Sequence, residues 1–276
     1  MPRALTNGIE LEYEVIGDPA APPMLLVMGF GMQMIQWPDG FLERLVGRGF
    51  RIIRFDNRDC GLSTKLDRPY RLDDMAEDTA GLFESLGLDS AHVVGASMGG
   101  FIAQLLAIRH PRRVRSLALI MTTTGAGDVG QARPEMLPLL MTPPPIERGA
   151  YVESRLEVAR HLTGRTLRSD EARVRATSGR AYDRAFYPPG AVRQFQAIQA
   201  APDRSAALGG VRVPAVVIHG SDDPLIDRSG GEAAARAIPG ARLLSISGMG
   251  HDLPEAAWDT IVAAIADNSS GAATTA

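Results

Sequence analysis

The chain contains one cysteine, Cys60, and one lysine, Lys65, in 276 residues. A single cysteine excludes an intramolecular disulfide and any metal site built from several cysteines, so packing must hold the fold together. The surroundings of the single lysine also exclude a glycine-rich phosphate loop that ends in Gly-Lys-Ser or Gly-Lys-Thr. Disulfide scaffolds and nucleotide hydrolases with that loop are therefore excluded.

An excess of charge of one sign is also missing. The 29 Lys and Arg residues face 32 Asp and Glu, for a net charge of -3. No basic field exists to gather phosphates, so we do not expect a nucleic-acid partner. No apolar run approaches the roughly 20 residues that span a bilayer, and the N-terminal residues lack the apolar stretch of a secretory signal. These absences predict a cytoplasmic protein without a membrane span.

Short apolar runs that alternate with longer amphipathic stretches are what the sequence does contain. With 45% hydrophobic and 22% charged residues, the composition is that of a globular protein. Alternating strand and helix patterns predict an α/β fold with a mostly parallel sheet flanked by helices. The apolar runs predicted as buried strands are residues 24–29, 51–56, 91–97, 116–122, 214–220 and 242–247.

Two other patterns refine this prediction. Residues 9–16 alternate apolar and polar side chains, which indicates a half-exposed strand at an antiparallel edge of the sheet. Residues 73–87, with acids in the first turn, and residues 99–110, stopped by Pro111, have helical patterns. We expect both helices to pack against the sheet.

The regular alternation breaks at residues 122–208, where prolines are followed by Arg-rich helical patterns. We therefore predict a core formed by residues 1–121 and 209–267, with a helical cap at 122–208. The Arg-rich stretch at 148–184 suits the solvated face of helices, the more common case, or recognition of an anionic substrate. Residues 268–276 are small and polar, and we predict a disordered tail there.

The most specific motif is Gly-Ala-Ser-Met-Gly at residues 95–99, between a predicted strand and a predicted helix. A Gly-x-Ser-x-Gly pentad in that context holds its serine on a strained turn and presents the hydroxyl to substrate. Ser97 is therefore the candidate nucleophile. The alternative is an ordinary glycine-rich turn in which serine caps the helix.

A serine hydroxyl needs a base within hydrogen-bond reach, and the base needs a carboxylate to fix its tautomer. His251 follows the predicted strand at 242–247, and Asp223 follows the strand at 214–220. The chain order Ser, Asp, His is that of the α/β-hydrolase arrangement. Asp222 and Asp227 are rivals for the acid, since a loop of unknown shape could bring either of them near His251. The other histidines lack this setting and are interpreted as structural: His92, His110, His161 and His219.

Attack on a carbonyl places negative charge on its oxygen, which backbone N–H groups can stabilise. Met98 begins a predicted helix, and Phe30 lies in the glycine-rich turn 28–31 after a predicted strand. Their N–H groups are the candidate oxyanion hole. Four residues next to these motifs are candidates for the substrate pocket: Gly29, Met32, Met121 and Met249. Methionine serves equally well to fill gaps in a core.

Taken together, the motifs GASMG, MGFG, FDNRDCGLS, HGSDDP and GMGHD resemble α/β-hydrolase-fold serine esterases, in particular bacterial aclacinomycin methylesterase-like enzymes. The resemblance implies Ser97 as nucleophile, Asp223 as acid and His251 as base, with the backbone amides of Phe30 and Met98 as oxyanion hole. It further implies a small-molecule ester substrate and neither a metal nor an organic cofactor.

Two positions depart from the wider superfamily. Met28 replaces a common histidine, which leaves backbone donation intact, and Asp59 replaces a common glycine, as in the methylesterase-like group. We interpret Arg58 and its neighbouring aspartates as a structural network. Carbon-carbon bond hydrolases and perhydrolases use the same triad, and a catalytically silent ligand-binding member of the fold would retain the motifs. The pattern carries no signal for an oligomeric state.

Overall fold

The parallel sheet predicted from the sequence is present in a computed structural model, which describes residues 2–271. The strands are β1 (Arg3–Thr6), β2 (Ile9–Ile16), β3 (Pro23–Val27), β4 (Arg51–Phe55), β5 (Ala91–Ala96), β6 (Val114–Ile120), β7 (Ala215–Gly220) and β8 (Arg242–Ile246). Within the described residues they form one sheet in the order β1-β2-β4-β3-β5-β6-β7-β8. Strands β3 to β8 run parallel, and all of the apolar runs predicted as buried strands form them.

One prediction about the sheet was wrong. Strand β2 is antiparallel, as its alternating pattern indicated, but it pairs with β1 on one side and with β4 on the other. The edge position belongs to β1, a strand of only four residues that the apolar pattern did not reveal. The alternation resembled that of an edge strand because glutamates occupy the face of β2 opposite Ile9 and Leu11, even though one of them, Glu12, is buried.

The helices include both of those predicted from the sequence. Their bounds are α1 (Asp39–Gly47), α2 (Leu72–Ser85), α3 (Met98–Arg109), α4 (Met136–Met141), α5 (Arg148–Leu162), α6 (Glu171–Arg184), α7 (Pro188–Gln199), α8 (Ser205–Leu208), α9 (Arg228–Ala237) and α10 (Trp258–Ser270). Asp73 and Asp74 occupy the first turn of α2, where carboxylates favour a helix N-terminus. Helix α3 ends just before Pro111, which cannot continue a helix. Helices α4 to α8 all fall in the segment predicted as a cap.

The apolar core lies on both faces of the sheet. On one face, Leu25 and Val93 belong to a cluster that also contains side chains of α2, α3 and α9. On the other face, Met24 and Val94 pack with side chains of α1 and α10. Strand β3 lies between β4 and β5, so the chain leaves the centre of the sheet in opposite directions. Such a switch point opens a crevice at the carboxyl ends of the strands.

The predicted tail begins too early. Helix α10 continues to Ser270, and Asn268 and Ser269 are buried against the core. The Asn268 amide donates to the carbonyls of Leu117 and Pro214, so its small polar side chain satisfies strand ends rather than solvent. Residues 272–276 lie outside the described part. Between residues 2 and 271, none of the helices has the length and apolarity needed to traverse a bilayer.

Candidate active site

Ser97 lies on a tight turn between β5 and α3. Its backbone has φ = 53° and ψ = -120°, a conformation that is strained for a residue with a side chain. A side chain at Gly95 would collide with the backbone of Gly99, and one at Gly99 would collide with the carbonyl of Val27. The two glycines are therefore required by close backbone approach, and the turn they permit leaves the Ser97 hydroxyl partly exposed.

His251 and Asp223 extend from the ends of β8 and β7 toward this serine. His251 Nε2 lies 2.9 Å from Ser97 Oγ, and His251 Nδ1 lies 2.8 Å from Asp223 Oδ2. The imidazole is oriented further by its backbone N–H, which donates to the carbonyl of Leu162 at 2.8 Å. A hydroxyl, an imidazole and a carboxylate are thus connected by successive hydrogen bonds, with Asp223 only 5% exposed.

The carboxylate of Asp223 is held in its ionised form. Its Oδ1 accepts hydrogen bonds from the N–H groups of Leu225 and Ile226, each at 2.9 Å. Burial alone would raise the pKa of Asp223, but the charge of His251 and hydrogen bonds from His219 and His251 outweigh it and hold that pKa well below its usual value. Asp223 therefore remains a hydrogen-bond acceptor for imidazole at neutral pH.

His219 is a neighbour of this carboxylate that sequence reasoning treated only as structural. Its Nε2 donates to the Ile226 carbonyl at 2.8 Å and lies 3.4 Å from Asp223 Oδ2. The signal in the sequence was its position four residues before Asp223, at the end of the same strand. His219 packs against the acid rather than the serine, so it supports the orientation of Asp223.

The rival carboxylates have other partners. The Asp222 carboxylate accepts hydrogen bonds from the guanidinium and the backbone N–H of Arg165. The bond from the guanidinium lowers the pKa of Asp222 most, and the backbone bond lowers it further. Asp227 is the N-cap of α9, where its carboxylate accepts the N–H of Ser229 at 2.8 Å. Of the three aspartates, the structure brings Asp223 to His251.

Two backbone N–H groups flank Ser97 without partners of their own. Met98 is the first residue of α3, and Gly29 approaches so closely that a Cβ there would lie 3.3 Å from Ser97 Cβ. The turn around Phe30 is fixed because Gly31 N–H donates to Gln194 Oε1 at 2.8 Å. Within residues 2–271, the N–H groups of Phe30 and Met98 have no hydrogen-bond acceptor. Both remain available to a substrate oxygen.

The structure separates the four candidate pocket residues. Gly29 adjoins Ser97, and Met32 is 36% exposed beyond it. Met249 has no exposed surface and Met121 is 5% exposed, and both belong to the apolar cluster on the α1 and α10 face of the sheet. The pocket interpretation is therefore wrong for Met249, and Met121 likewise packs in the core, where both fill space between strand ends and helices.

The cap segment is attached to the core by ion pairs that the sequence did not predict. Asp56 Oδ2 binds Arg184 of α6 at 2.6 Å, and Asp59 Oδ2 binds Arg193 of α7 at 2.7 Å. Both carboxylates are fully buried. Asp59, the residue in place of a common glycine, thus pairs with the cap, whereas Arg58 binds Asp78 of α2 within the core at 2.6 Å.

These residues lie within a segment that matches a known family. The family model described as alpha/beta hydrolase fold matches residues 22–255. The chain belongs to the alpha/beta hydrolase fold family. The match confirms the predicted fold class. Between residues 2 and 271 of this alpha/beta hydrolase, no three His, Cys, Asp or Glu side chains are grouped so as to hold a metal ion.

Similar proteins of the family include hydrolases with described substrates. Rhodomycin D methylesterase DnrP of Streptomyces peucetius is 32% identical, with 95% of this chain and 96% of that protein aligned. The enol-lactonase of Burkholderia xenovorans LB400 superposes with a TM-score of 0.80 at 27% identity, over 97% of this chain and 99% of that one. The esterase RhEst1 of Rhodococcus sp. ECU1013 also has a TM-score of 0.80, at 23% identity over 98% of both chains, a likeness of fold. The relatives support a hydrolase and confirm the resemblance to esterases.

Proposed function

We propose that this alpha/beta hydrolase cleaves carboxylic esters of small molecules through an acyl-enzyme on Ser97. The observation that carries the proposal is the hydrogen-bonded series from Ser97 Oγ through His251 to Asp223. The similarity to a methylesterase supports the choice of an ester bond. Serine at position 97 disfavours the branches of the family whose nucleophile is aspartate.

In the first half of the reaction, His251 Nε2 accepts the Ser97 proton as Oγ attacks the ester carbonyl. The tetrahedral intermediate carries its negative charge on the former carbonyl oxygen. The N–H groups of Phe30 and Met98 donate to that oxygen, and the second lies at the positive end of α3. His251 then donates its proton to the leaving alkoxide, the carbon-oxygen bond breaks, and the acyl group remains on Ser97.

In the second half, His251 accepts a proton from water as the water oxygen attacks the acyl carbonyl. The second tetrahedral intermediate collapses when His251 returns the proton to Ser97 Oγ, which releases the carboxylic acid. Asp223 accepts a hydrogen bond from the Nδ1–H group of His251 throughout, so Nε2 remains the basic nitrogen. No proton needs to move onto Asp223.

Organophosphonate labelling tests the nucleophile directly. A p-nitrophenyl alkylphosphonate is expected to add one phosphonyl group to Ser97, because the activated hydroxyl attacks phosphorus as it would a carbonyl. Intact-mass measurement and peptide mapping check the adduct, together with the release of nitrophenol and the loss of ester hydrolysis. Cys60 is buried, which raises the pKa of its thiol, and it should remain unmodified.

Ser90→Ala, at the start of β5, is the matched control and should be labelled like the wild-type chain. Labelling without hydrolysis of any activated ester would indicate a reactive serine in a binding protein. Hydrolysis without an adduct on Ser97 would contradict the proposed mechanism. A panel of esters, lactones and vinylogous 1,5-diketones, assayed with and without hydrogen peroxide, separates esterase from carbon-carbon hydrolase and perhydrolase.

We further propose that the cap, residues 122–208, determines which esters are accepted. Three rings from α5, α6 and the connection after α6 form a cluster: the centroids of Tyr151 and Phe186 are 5.5 Å apart, and those of Tyr182 and Phe186 are 4.8 Å apart. Phe30, beside Ser97, contacts Phe195 of α7 at 6.1 Å between centroids. Aromatic surface of the cap thus adjoins the loops that carry the candidate catalytic groups.

Phe186→Ala is expected to change the ratio of kcat/KM between bulky and short esters by roughly 10- to 100-fold, since lost pocket contacts are worth about 1–3 kcal/mol. Hydrolysis of p-nitrophenyl acetate should change less than about threefold, because the smallest ester makes few pocket contacts. Val192→Ala, an exposed apolar position of the same cap, is the control. Unchanged ratios in folded Phe186→Ala protein would assign specificity to the core loops instead.

A further inference from the structure

Arg155 differs from the other arginines of α5 because it has no partner. Arg148 pairs with Asp183 at 2.6 Å, and Arg160 pairs with Glu171 at 2.8 Å, both on the exposed side of the cap. Arg155 is partly buried, and within residues 2–271 its guanidinium forms neither a hydrogen bond nor an ion pair. Burial lowers the pKa of Arg155, and Tyr151, one turn earlier, is the titratable neighbour whose charge raises it.

The acids of α5 do not face Arg155. Glu153 binds Arg175 at 2.9 Å, and Glu157 lies beside Arg160 and His161. These carboxylates are exposed on the outer side of the helix. The inner side of α5 thus carries a cation with no counter-ion of its own.

The inner side of α5 leads to the loop that carries His251. Positions 151, 155, 158 and 162 share one stripe of the helix. At one end, the ring of Tyr151 lies 5.5 Å from the ring of Phe186. At the other end, the Leu162 carbonyl accepts the N–H of His251, after β8. The stripe spans about 16 Å from residue 151 to residue 162.

The C-terminal end of this stripe adjoins the candidate catalytic groups. The Leu162 carbonyl accepts the backbone N–H of His251, and His251 Nε2 lies 2.9 Å from Ser97 Oγ. Arg155 lies two turns before Leu162 on the same side of α5, about 10 Å along the helix axis.

The surroundings of Arg204 show how this protein satisfies a guanidinium that burial affects. Burial lowers the pKa of both Arg155 and Arg204. Arg204, however, donates to Gln104 Oε1 at 2.9 Å and to backbone carbonyls, and it stacks on Phe101. No comparable set of acceptors surrounds Arg155. Its planar fork therefore remains free to bind a carboxylate in a bidentate manner.

We propose that Arg155 binds a free carboxylate at the end of the substrate remote from the scissile ester. This inference rests on the proposed ester hydrolysis and specifies its substrate class as half-esters, in which several atoms separate the ester from an anionic end. Arg155 acts in binding and takes no part in proton transfer. The Arg-rich cap sequence allowed such recognition, and we assign it to Arg155, the partly buried arginine of that stretch without a partner among residues 2–271.

The test compares methyl half-esters of straight-chain dicarboxylic acids of increasing length with the same methyl esters bearing a terminal carboxamide. The two series match in size and differ in charge. In the wild-type chain, kcat/KM is expected to favour the acid over the amide by about 10- to 100-fold at one optimal length, the range for hydrogen bonds to charged groups. This comparison needs no variant to fold.

Arg155→Gln should raise KM for the acid series by a similar factor, leave kcat within about threefold, and leave the amide series unchanged. Arg155→Lys should recover part of the preference, because it retains the charge but loses the fork. Arg160→Gln, on the exposed side of the same helix, is the matched control and should alter neither series.

The outcomes distinguish this inference from the function on which it rests. Equal hydrolysis of acids and amides by the wild-type chain, or an equal KM increase for both series in Arg155→Gln, would overturn the anionic subsite and leave ester hydrolysis intact. Absence of hydrolysis for every ester, including activated acetates, would overturn the proposed function itself. If the wild-type chain prefers the acids and Arg155→Gln abolishes that preference, the result supports both the anionic subsite and ester hydrolysis.

Discussion

Ser97→Ala is expected to lower kcat for activated esters by about 10⁴- to 10⁶-fold, the loss that follows removal of a triad nucleophile. The proposed acyl-enzyme requires an oxygen at this position, and Ser97 Oγ lies 2.9 Å from His251 Nε2. Residual turnover should come from water that uses the remaining base and the N–H groups of Phe30 and Met98. Steady-state assays with p-nitrophenyl acetate, followed by single-turnover measurements, check the loss.

This loss should not arise from unfolding. Alanine accepts φ = 53° about as poorly as serine, and the side chain removed contributes one hydrogen bond to His251. The melting temperature should therefore remain within a few degrees of the wild-type value. Ser90→Ala, at the other end of β5, serves as control and should retain full activity. If Ser97→Ala kept more than a tenth of the wild-type kcat, the nucleophile would have to be another residue.

The sequence was sufficient for the parts of the fold that depend on local pattern. Apolar runs such as residues 91–97 are buried on both faces of a parallel sheet, so they are readable without knowledge of their neighbours. The strained turn at Ser97 was also readable, because the glycines at 95 and 99 are required by backbone contacts. At this turn, the candidate nucleophile and the glycines that its backbone conformation requires lie within the same five residues.

Features that depend on distant partners were not readable. Strand β1 exists because residues 3–6 pair with residues 9–12, and Asn268 extends α10 because strand-end carbonyls accept its amide. The ion pair between Asp59 and Arg193 joins residues 134 positions apart. Composition does not reveal which of many arginines meets which aspartate, so the attachment of the cap required the structure.

Asp222, Asp223 and Asp227 differ in their partners, which the sequence did not reveal. The three carboxylates lie within six residues of one another, after the same strand. Arg165 engages the first, and the last caps α9. Their different partners lead to different expected consequences when each acid is replaced by its amide.

Asp223→Asn is expected to reduce kcat by roughly 10⁴-fold at neutral pH, the scale of the loss when a triad aspartate is replaced by asparagine. Two backbone N–H groups, of Leu225 and Ile226, donate to Oδ1. They would hold the amide oxygen of asparagine on that side and turn its NH₂ group toward His251. Nδ1 would then accept a hydrogen bond, the ring proton would move to Nε2, and the histidine could no longer accept the Ser97 proton.

The amide variants of the neighbouring acids are the controls, since each retains size and removes charge. Asp222→Asn weakens the contact with Arg165, and Asp227→Asn retains the helix cap, because asparagine caps a helix about as well as aspartate. Both should retain kcat within about tenfold, because neither carboxylate contacts His251. Steady-state kinetics and thermal unfolding of the three variants separate catalytic from structural loss. A larger loss of kcat in Asp222→Asn or Asp227→Asn than in Asp223→Asn would assign the role of the acid to the residue with the larger loss. The carboxylate that fixes the imidazole tautomer controls proton transfer, so its replacement should lower kcat much more than it lowers the melting temperature.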